Sequence, residues 1–159
     1  DFIGPFSFWG LPMKYFAYGS NMDPKHMKKL CSQALFVDIA GFEDHQFLIN
    51  SHGYATVKPD PESVVYGVLW DLHEEEEAAL DEYEGVSQGY FRKDHLEVIQ
   101  WKGENRVRSL IYISDNIVMG IPAKSYPESI LYGARCAGKI GLPPEYIMEL
   151  MNWKTSHTG

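Results

Sequence analysis

The chain is organised around the stretch Tyr15-Phe16-Ala17-Tyr18-Gly19-Ser20-Asn21-Met22. Its first residues are typical of a short buried strand, and Gly-Ser-Asn is typical of a tight turn. Asp23 and Pro24 follow as an N-cap and a first helical residue. A strand that turns into a helix in this way leaves several backbone N–H groups pointing in one direction, which suits an anion or a developing oxyanion. The alternative is an ordinary strand-to-helix turn.

Length and composition indicate one folded domain. The 159 residues are 45% hydrophobic and 14% aromatic, which is enough for one core. The formal net charge of -8 argues against nucleic acid or an anionic membrane as the main partner, and no apolar run is long enough to span a bilayer. The oligomeric state stays open, and a homodimer is one alternative.

The first twelve residues differ from the rest of the chain. Glycine and proline alternate there with aromatic residues, without the basic region or continuous apolar core of a signal peptide. We therefore expect residues 1–12 to be an N-terminal extension or a segment derived from cloning, with Met13 as the natural start. Residues 13–159 are expected to form a single domain.

Strand-forming segments follow one another in hairpin-like pairs. Residues 14–18 and 34–39 are predicted strands, the second ending near Gly41, and residues 45–50 and 54–58 are predicted to pair and to stop at Pro59-Asp60-Pro61. Further strands are predicted over residues 64–72, 91–101 and 106–114, with the last two joined as a hairpin.

Helical patterns separate and follow these strands. One helix is predicted over residues 73–84, capped by Asp71 and ended by Gly85. After a loop over residues 115–125, one helix ends near Gly138 or Gly141 and another begins at Pro143. Six or seven strands with about four helices in this order favour a mixed α/β (α+β) fold, in which a small, largely antiparallel β-barrel is flanked by helices.

No sequence motif indicates a metal or a cofactor. The six histidines form no His-x-x-x-His pair, there is no Cys-x-x-Cys, and the Gly-x-Ser-x-Gly, Walker and dinucleotide-binding motifs are absent. Cys31 and Cys136 do not form a disulfide framework, which favours free thiols in a reducing, cytoplasmic setting. A Cys–His nucleophilic pair remains an alternative.

Glu84 stands out among the glutamates of the predicted helix. It lies at the helix end, where the dipole disfavours a carboxylate by up to ~1 kcal/mol. A residue placed against local preference either marks a functional site or is simply exposed to solvent.

Two motifs together resemble those of the γ-glutamylcyclotransferase-like family. Residues 15–22 resemble its first signature, and the Leu-Asp-Glu-Tyr-Glu-Gly-Val of residues 80–86 resembles its second. Residues 141–146 are similar to its C-terminal Gly-Leu-Pro-x-Glu-Tyr, and the strand over residues 65–70 sits where the family has a similar one. The resemblance covers about residues 13–153.

The resemblance implies a fold, a reaction and site residues. The fold would be a small α/β domain on a β-barrel, and the reaction would release 5-oxoproline from a γ-glutamyl compound. Glu84 would be the catalytic acid/base. The substrate-binding residues would be Tyr15, Phe16, Ala17, Tyr18, Gly19, Ser20, Asn21 and Tyr126.

The expected reaction needs no enzyme nucleophile, because the α-amine of the substrate attacks its own γ-carbonyl. One carboxylate can take the amine proton and return it to the leaving nitrogen. Two alternatives stay open: a non-catalytic domain that binds a small carboxylate or a protein N-terminus, and hydrolysis or acyl transfer through Cys31 or Cys136. The segments 41–53 and 115–125 match no particular subfamily, so the sequence does not identify the γ-glutamyl compound.

Overall fold

The computed structural model describes residues 13–120, 126–139 and 141–157. Its strands are β1 (Met13–Ala17), β2 (Leu35–Ile49), β3 (Ala55–Leu72), β4 (Arg92–Gln100) and β5 (Arg106–Ile113), and its helices are α1 (Pro24–Leu30), α2 (Glu77–Tyr83), α3 (Tyr126–Gly138) and α4 (Pro144–His157). The strands close into a barrel in the order β1-β3-β2-β4-β5. The prediction of a small, largely antiparallel barrel flanked by helices is therefore confirmed, while the segment of residues 1–12 lies outside the described residues.

Strand β1 closes the barrel. It pairs antiparallel with β3 along its whole length and parallel with β5 at Tyr15 and Leu110. Because β1 is covered on both faces, Tyr15, Phe16 and Ala17 are all at most 3% exposed. This buried strand delivers the turn at residues 18–23 to one end of the barrel.

The predicted strand breaks at Gly41 and at Pro59-Asp60-Pro61 were wrong. β2 runs through Gly41, and β3 runs through the two prolines. A register shift opposite His45 and Pro59 absorbs the irregularity as a bulge, where a proline without an N–H is tolerated. The Asp60 carboxylate stabilises the bulge by accepting hydrogen bonds from Glu62 N and Ser63 Oγ at 3.0 and 2.8 Å. Because β2 and β3 are each longer than the segments predicted for them, the described residues contain five strands instead of the six or seven predicted.

The start of the helix at residues 73–84 also differs from the prediction. Asp71 lies within β3, where its carboxylate is 2.7 Å from Lys14 Nζ, so it does not cap the helix. A 3-10 turn over Glu74–Glu76 comes first, and Glu76 Oε1 accepts a hydrogen bond from His73 N at 3.1 Å. α2 then ends at Tyr83, and Gly85 has a left-handed φ of 67°, as its predicted role as the helix stop requires.

Helix α3 packs against the turn that follows β1. The two approach closely at Gly133, where a Cβ atom would lie 3.1 Å from Asp23 N and 3.2 Å from Met22 Cβ. Ile130, Ala134 and Ala137 on the same helix are buried. No helix in the described ranges is long and apolar enough to cross a membrane.

Candidate active site

A cavity of about 540 Å³ opens at the end of the barrel to which β1 leads. Its walls come from β1 and the turn after it, from the start of β3, from the end of α2 with the turn that follows, and from β5. The walls are rich in tyrosine, and among the described residues that line the cavity there is no lysine or arginine. Such a concave site with a few polar groups is typical of a small-molecule pocket.

The turn after β1 is held by its own backbone and by an N-cap. Gly19 has φ -119° and ψ -135°, and a short 3-10 turn follows over Ser20–Met22. Asp23 then caps α1, because its carboxylate accepts a hydrogen bond from Lys25 N at 3.0 Å and Pro24 begins the helix, both as predicted. The backbone N–H groups of Ser20 and Asn21 precede the first hydrogen bonds of the 3-10 turn and have no acceptor within the described part of the chain.

Asn21 connects this turn to the barrel. Its Nδ2 donates to Tyr15 Oη at 2.9 Å, and its carbonyl oxygen accepts from Trp70 Nε1 at 3.1 Å. Asn21 is 3% exposed, yet its Oδ1 has no hydrogen-bond partner among the described residues. A buried amide oxygen without a partner is costly, so Asn21 Oδ1 is a hydrogen-bond acceptor that the described residues leave unused.

A tyrosine on β5 connects the barrel to α2. Tyr112 Oη donates to Asp81 Oδ1 at 2.7 Å, and Tyr18 Oη donates to the Tyr112 carbonyl at 2.7 Å. Lys93 Nζ lies 2.9 Å from the other oxygen of Asp81. Burial, with the added effect of Asp81, raises the pKa of Tyr112, so its hydroxyl stays a donor. These contacts fix the end of α2 relative to the turn after β1.

Glu84 follows α2 directly and lines the same cavity. Its N–H donates to the Leu80 carbonyl at 2.9 Å, and the left-handed Gly85 then turns the chain away. The Glu84 carboxylate has neither a hydrogen bond nor an ion pair with any described residue. Burial raises the pKa of Glu84 from 4.5 to about 7. The side chain is therefore able to exchange a proton near neutral pH.

The raised pKa predicts how Glu84 affects stability. A carboxyl that holds its proton more tightly in the folded state destabilises the fold as the pH rises from 4.5 through about 7. Since one pKa unit is worth about 1.4 kcal/mol, ionised Glu84 costs about 3 kcal/mol at most. We expect Glu84→Gln to raise the free energy of unfolding by about 2–3 kcal/mol at pH 8 and to change it little at pH 4.5. Urea unfolding at the two pH values measures the difference, and an equal effect at both would contradict the burial of the carboxylate.

The structure brings most of the predicted site residues together. Glu84 lines one cavity with the predicted residues Tyr15, Phe16, Tyr18, Gly19, Ser20 and Asn21. Ala17 does not line it, because its side chain is buried in the core. Tyr126 is the first residue of α3, and its side chain lies outside the described part of the structure.

Other residues of the cavity were missed by the sequence analysis. They approach it only through the folded chain, from the β2–β3 turn, the end of α2, the following turn and β5: Tyr54, Ala55, Glu82, Tyr83, Gln88, Tyr90, Phe91 and Tyr112. Glu82 and Tyr83 could have been found, since both lie within the second motif at residues 80–86. The other six carry no local sequence signal.

Neither cysteine lines this cavity. Cys31 is 1% exposed, and burial raises the pKa of its thiol to about 11, so it is not activated as a nucleophile. Both thiols are free. The described residues contain no group of three His, Cys, Asp or Glu side chains that could hold a metal ion.

A family model, curated relatives and a solved structure all relate this chain to AIG2-like proteins or gamma-glutamylcyclotransferases. The AIG2-like family matches residues 64–150 of this chain. The gamma-glutamylcyclotransferases of Mus musculus and Homo sapiens are each 28% identical to it over 142 residues, which cover 83% of this chain and 73% of each relative. A solved structure named gamma-glutamyl cyclotransferase has a TM-score of 0.79 at 27% identity, covering 88% of this chain and 86% of that one. The chain belongs to the AIG2-like family.

Proposed function

We propose that this protein is an enzyme of the γ-glutamylcyclotransferase type, which releases 5-oxoproline from a γ-glutamyl amide, amine or peptide. The observation that carries the proposal is the Glu84 carboxyl, whose pKa is about 7 and which lines the same cavity as the turn at residues 18–21. The similarity to the mouse and human gamma-glutamylcyclotransferases supports the same reaction class.

The nucleophile of this reaction belongs to the substrate. The α-amine attacks the γ-carbonyl carbon, a C–N bond forms and closes the five-membered lactam, and the bond to the leaving nitrogen breaks. The α-ammonium gives up two protons in becoming the lactam N–H. The leaving amine takes up two in becoming an ammonium ion, so protons balance and no co-reactant is needed. The enzyme has to move protons, stabilise the oxyanion and hold the substrate curled.

Glu84 is assigned to proton transfer. An ordinary glutamate, with a pKa of about 4.3, is a weak base towards the substrate α-ammonium, which the neighbouring α-carboxylate makes a weaker acid than a peptide N-terminus. With its pKa raised to about 7 by burial, the Glu84 carboxylate is a stronger base and the difference from the amine is smaller. It can accept a proton from the ammonium and return it to the leaving nitrogen as the tetrahedral intermediate collapses.

The turn after β1 is assigned to binding and to charge stabilisation. The Ser20 and Asn21 N–H groups, which have no acceptor among the described residues, can donate to the oxyanion or to the substrate α-carboxylate. In acyl-transfer enzymes one such donor contributes about 2.7–4 kcal/mol.

Substrate placement is the remaining contribution. Intramolecular reactions with well-aligned groups gain up to ~7–11 kcal/mol from placement alone. The cavity of about 540 Å³ has room for a curled γ-glutamyl group and part of its leaving group. We assign the γ-glutamyl half to the part of the wall formed by Tyr15, Tyr18, the turn and Glu84, and the leaving group to the rest of the lining, which includes Tyr54 and Tyr90. The two free thiols accord with a cytoplasmic location, which we also propose.

A panel of γ-glutamyl compounds tests the proposal. It contains γ-glutamyl amino acids, a γ-glutamyl tripeptide and γ-glutamyl alkylamines, and a coupled assay measures 5-oxoproline release. We expect turnover of at least one class, unaffected by thiol alkylation. Binding without turnover of any member would instead favour a non-catalytic binding domain, and loss of turnover on alkylation would favour a cysteine nucleophile.

A further inference from the structure

Tyr83 stands between two cavities. On one side lies the cavity that contains Glu84, and on the other lies a second cavity of about 450 Å³. Ser20 and Tyr83 line both, whereas His26 on α1 lines only the second. The two side chains shared by the cavities thus form part of the wall between them.

A hydrogen-bond chain crosses this wall. Tyr83 Oη lies 3.1 Å from Ser20 Oγ and 3.0 Å from His26 Nε2. The His26 and Tyr83 rings also meet edge to face, with centroids 5.2 Å apart and planes at 63°. These hydrogen bonds therefore link the end of α2 to the turn after β1 and to α1, which directly follows that turn in sequence.

The single proton on the Tyr83 hydroxyl couples its hydrogen bond with His26 to its hydrogen bond with Ser20. Tyr83 has a single hydroxyl proton, so in a linear chain it donates to one neighbour and accepts from the other. When His26 Nε2 accepts, Tyr83 donates to it, and the Ser20 hydroxyl then donates to Tyr83. When Nε2 carries a proton, His26 donates to Tyr83, and Tyr83 in turn donates to Ser20 Oγ. The presence or absence of a proton on His26 Nε2 thus sets the orientation of the Ser20 hydroxyl.

We propose that His26 is a positioning residue that acts through Tyr83 to orient Ser20 in the substrate-binding turn. The inference rests on the proposed function, because it takes Ser20 as a substrate-binding residue. His26 does not line the cavity of Glu84, so any effect of His26 on turnover has to pass through its neighbours. Tyr83 is the neighbour that contacts both His26 and Ser20.

A double-mutant cycle between His26 and Tyr83 tests this coupling. His26→Phe keeps a ring beside Tyr83 but removes the nitrogen, and Tyr83→Phe keeps the ring but removes the hydroxyl. We expect each to lower kcat/KM by about three- to tenfold, the range of one lost hydrogen bond. The double variant should lose no more than Tyr83→Phe alone, because the chain is already broken. His26→Gln, which retains an amide at the end of the side chain, should recover most of the activity.

The outcomes separate the inference from the proposed function. Losses that multiply in the double variant, or a His26→Gln variant as impaired as His26→Phe, would overturn the inference while the enzyme stays a cyclotransferase. A wild-type protein that turns over no γ-glutamyl compound would overturn the proposed function and the inference together. Thermal unfolding of each variant controls for stability, and the comparison of His26→Gln with Tyr83→Phe remains decisive if His26→Phe does not fold.

Discussion

Replacement of Glu84 with glutamine is expected to lower the rate of 5-oxoproline release by about 10²–10⁴-fold, the usual contribution of a positioned acid/base. Glutamine has nearly the same size as glutamate, so the cavity keeps its shape, but it cannot take the proton of the substrate ammonium. The loss should appear in kcat, since the turn at residues 18–21 still binds the γ-glutamyl group. A coupled 5-oxoproline assay at saturating substrate measures it, and calorimetric titration measures binding.

Glu75→Gln is the matched control. Glu75 is exposed, lies in the 3-10 turn before α2 and does not line the cavity. Glu75→Gln makes the same chemical change in the segment that leads into the same helix and should leave turnover unaltered. Undiminished product release by Glu84→Gln would rule out Glu84 as the proton carrier.

The pH dependence of the wild-type enzyme adds a second readout of the same carboxyl. Because the ionised form of Glu84 accepts the proton, kcat/KM should rise with pH through about 7, where the pKa of Glu84 lies. At higher pH it should fall as the free substrate loses its ammonium proton. The acidic limb should disappear from the residual activity of Glu84→Gln, and an acidic limb near pH 4.5 would contradict the raised pKa.

Replacement of Gly67 with alanine is expected to destabilise the barrel strongly. A Cβ atom at Gly67 would lie 2.3 Å from the Ala17 carbonyl oxygen and 3.0 Å from the Phe16 ring. The carbonyl belongs to the backbone of β1, which is paired to β3 at this point, so the clash is relieved only by moving a strand. We expect a loss of about 3 kcal/mol, the upper end of overpacking costs, and a Tm lower by roughly 6–12 °C.

Gly41→Ala provides the comparison for Gly67→Ala. Gly41 is also a buried strand glycine, but a Cβ there would meet the side chains of Val64 and Tyr66, at 3.1 and 3.3 Å. Side chains can rotate away, so the loss should be clearly smaller. Calorimetric melting of both variants measures the difference. Since Ala17 directly precedes the substrate-binding turn, Gly67→Ala should also reduce turnover at temperatures where it remains folded. Equal Tm values for the two variants would contradict the close approach of β1 and β3.

Local signals in the sequence predicted the parts of the fold that depend on local chemistry. Asp23 and Pro24 begin α1 as a cap and first helical residue, and Gly85 takes the left-handed conformation that ends α2. The strand breaks at Gly41 and Pro59 were mistaken because pairing with a neighbouring strand outweighs local propensity, and a bulge accommodates the proline. Asp71 was mistaken for a cap because β3 extends past it before the helix begins.

Part of the candidate site could likewise be predicted from the sequence and part could not. The turn at residues 18–21 and Glu84 each belong to a short motif of consecutive residues, so the resemblance to a known family could predict them together. Tyr112 and Tyr54 reach the cavity from β5 and from the end of the β2–β3 hairpin, and only the closure of the barrel brings them there. The pKa of Glu84 likewise depends on burial by distant segments, which no motif encodes.

The place of β1 between β3 and β5 has a consequence for biosynthesis. Of the five described strands the ribosome makes β1 first, yet the partners of Tyr15 are Trp70 on one side and Leu110 on the other. A nascent chain that lacks β5 cannot close the barrel, so one edge of β1 stays unpaired until the fifth strand emerges. The turn that follows β1 gains its last neighbours later still, when α3 has been made and can pack against it. Chains truncated before β5 should therefore accumulate in an aggregation-prone form without a formed pocket.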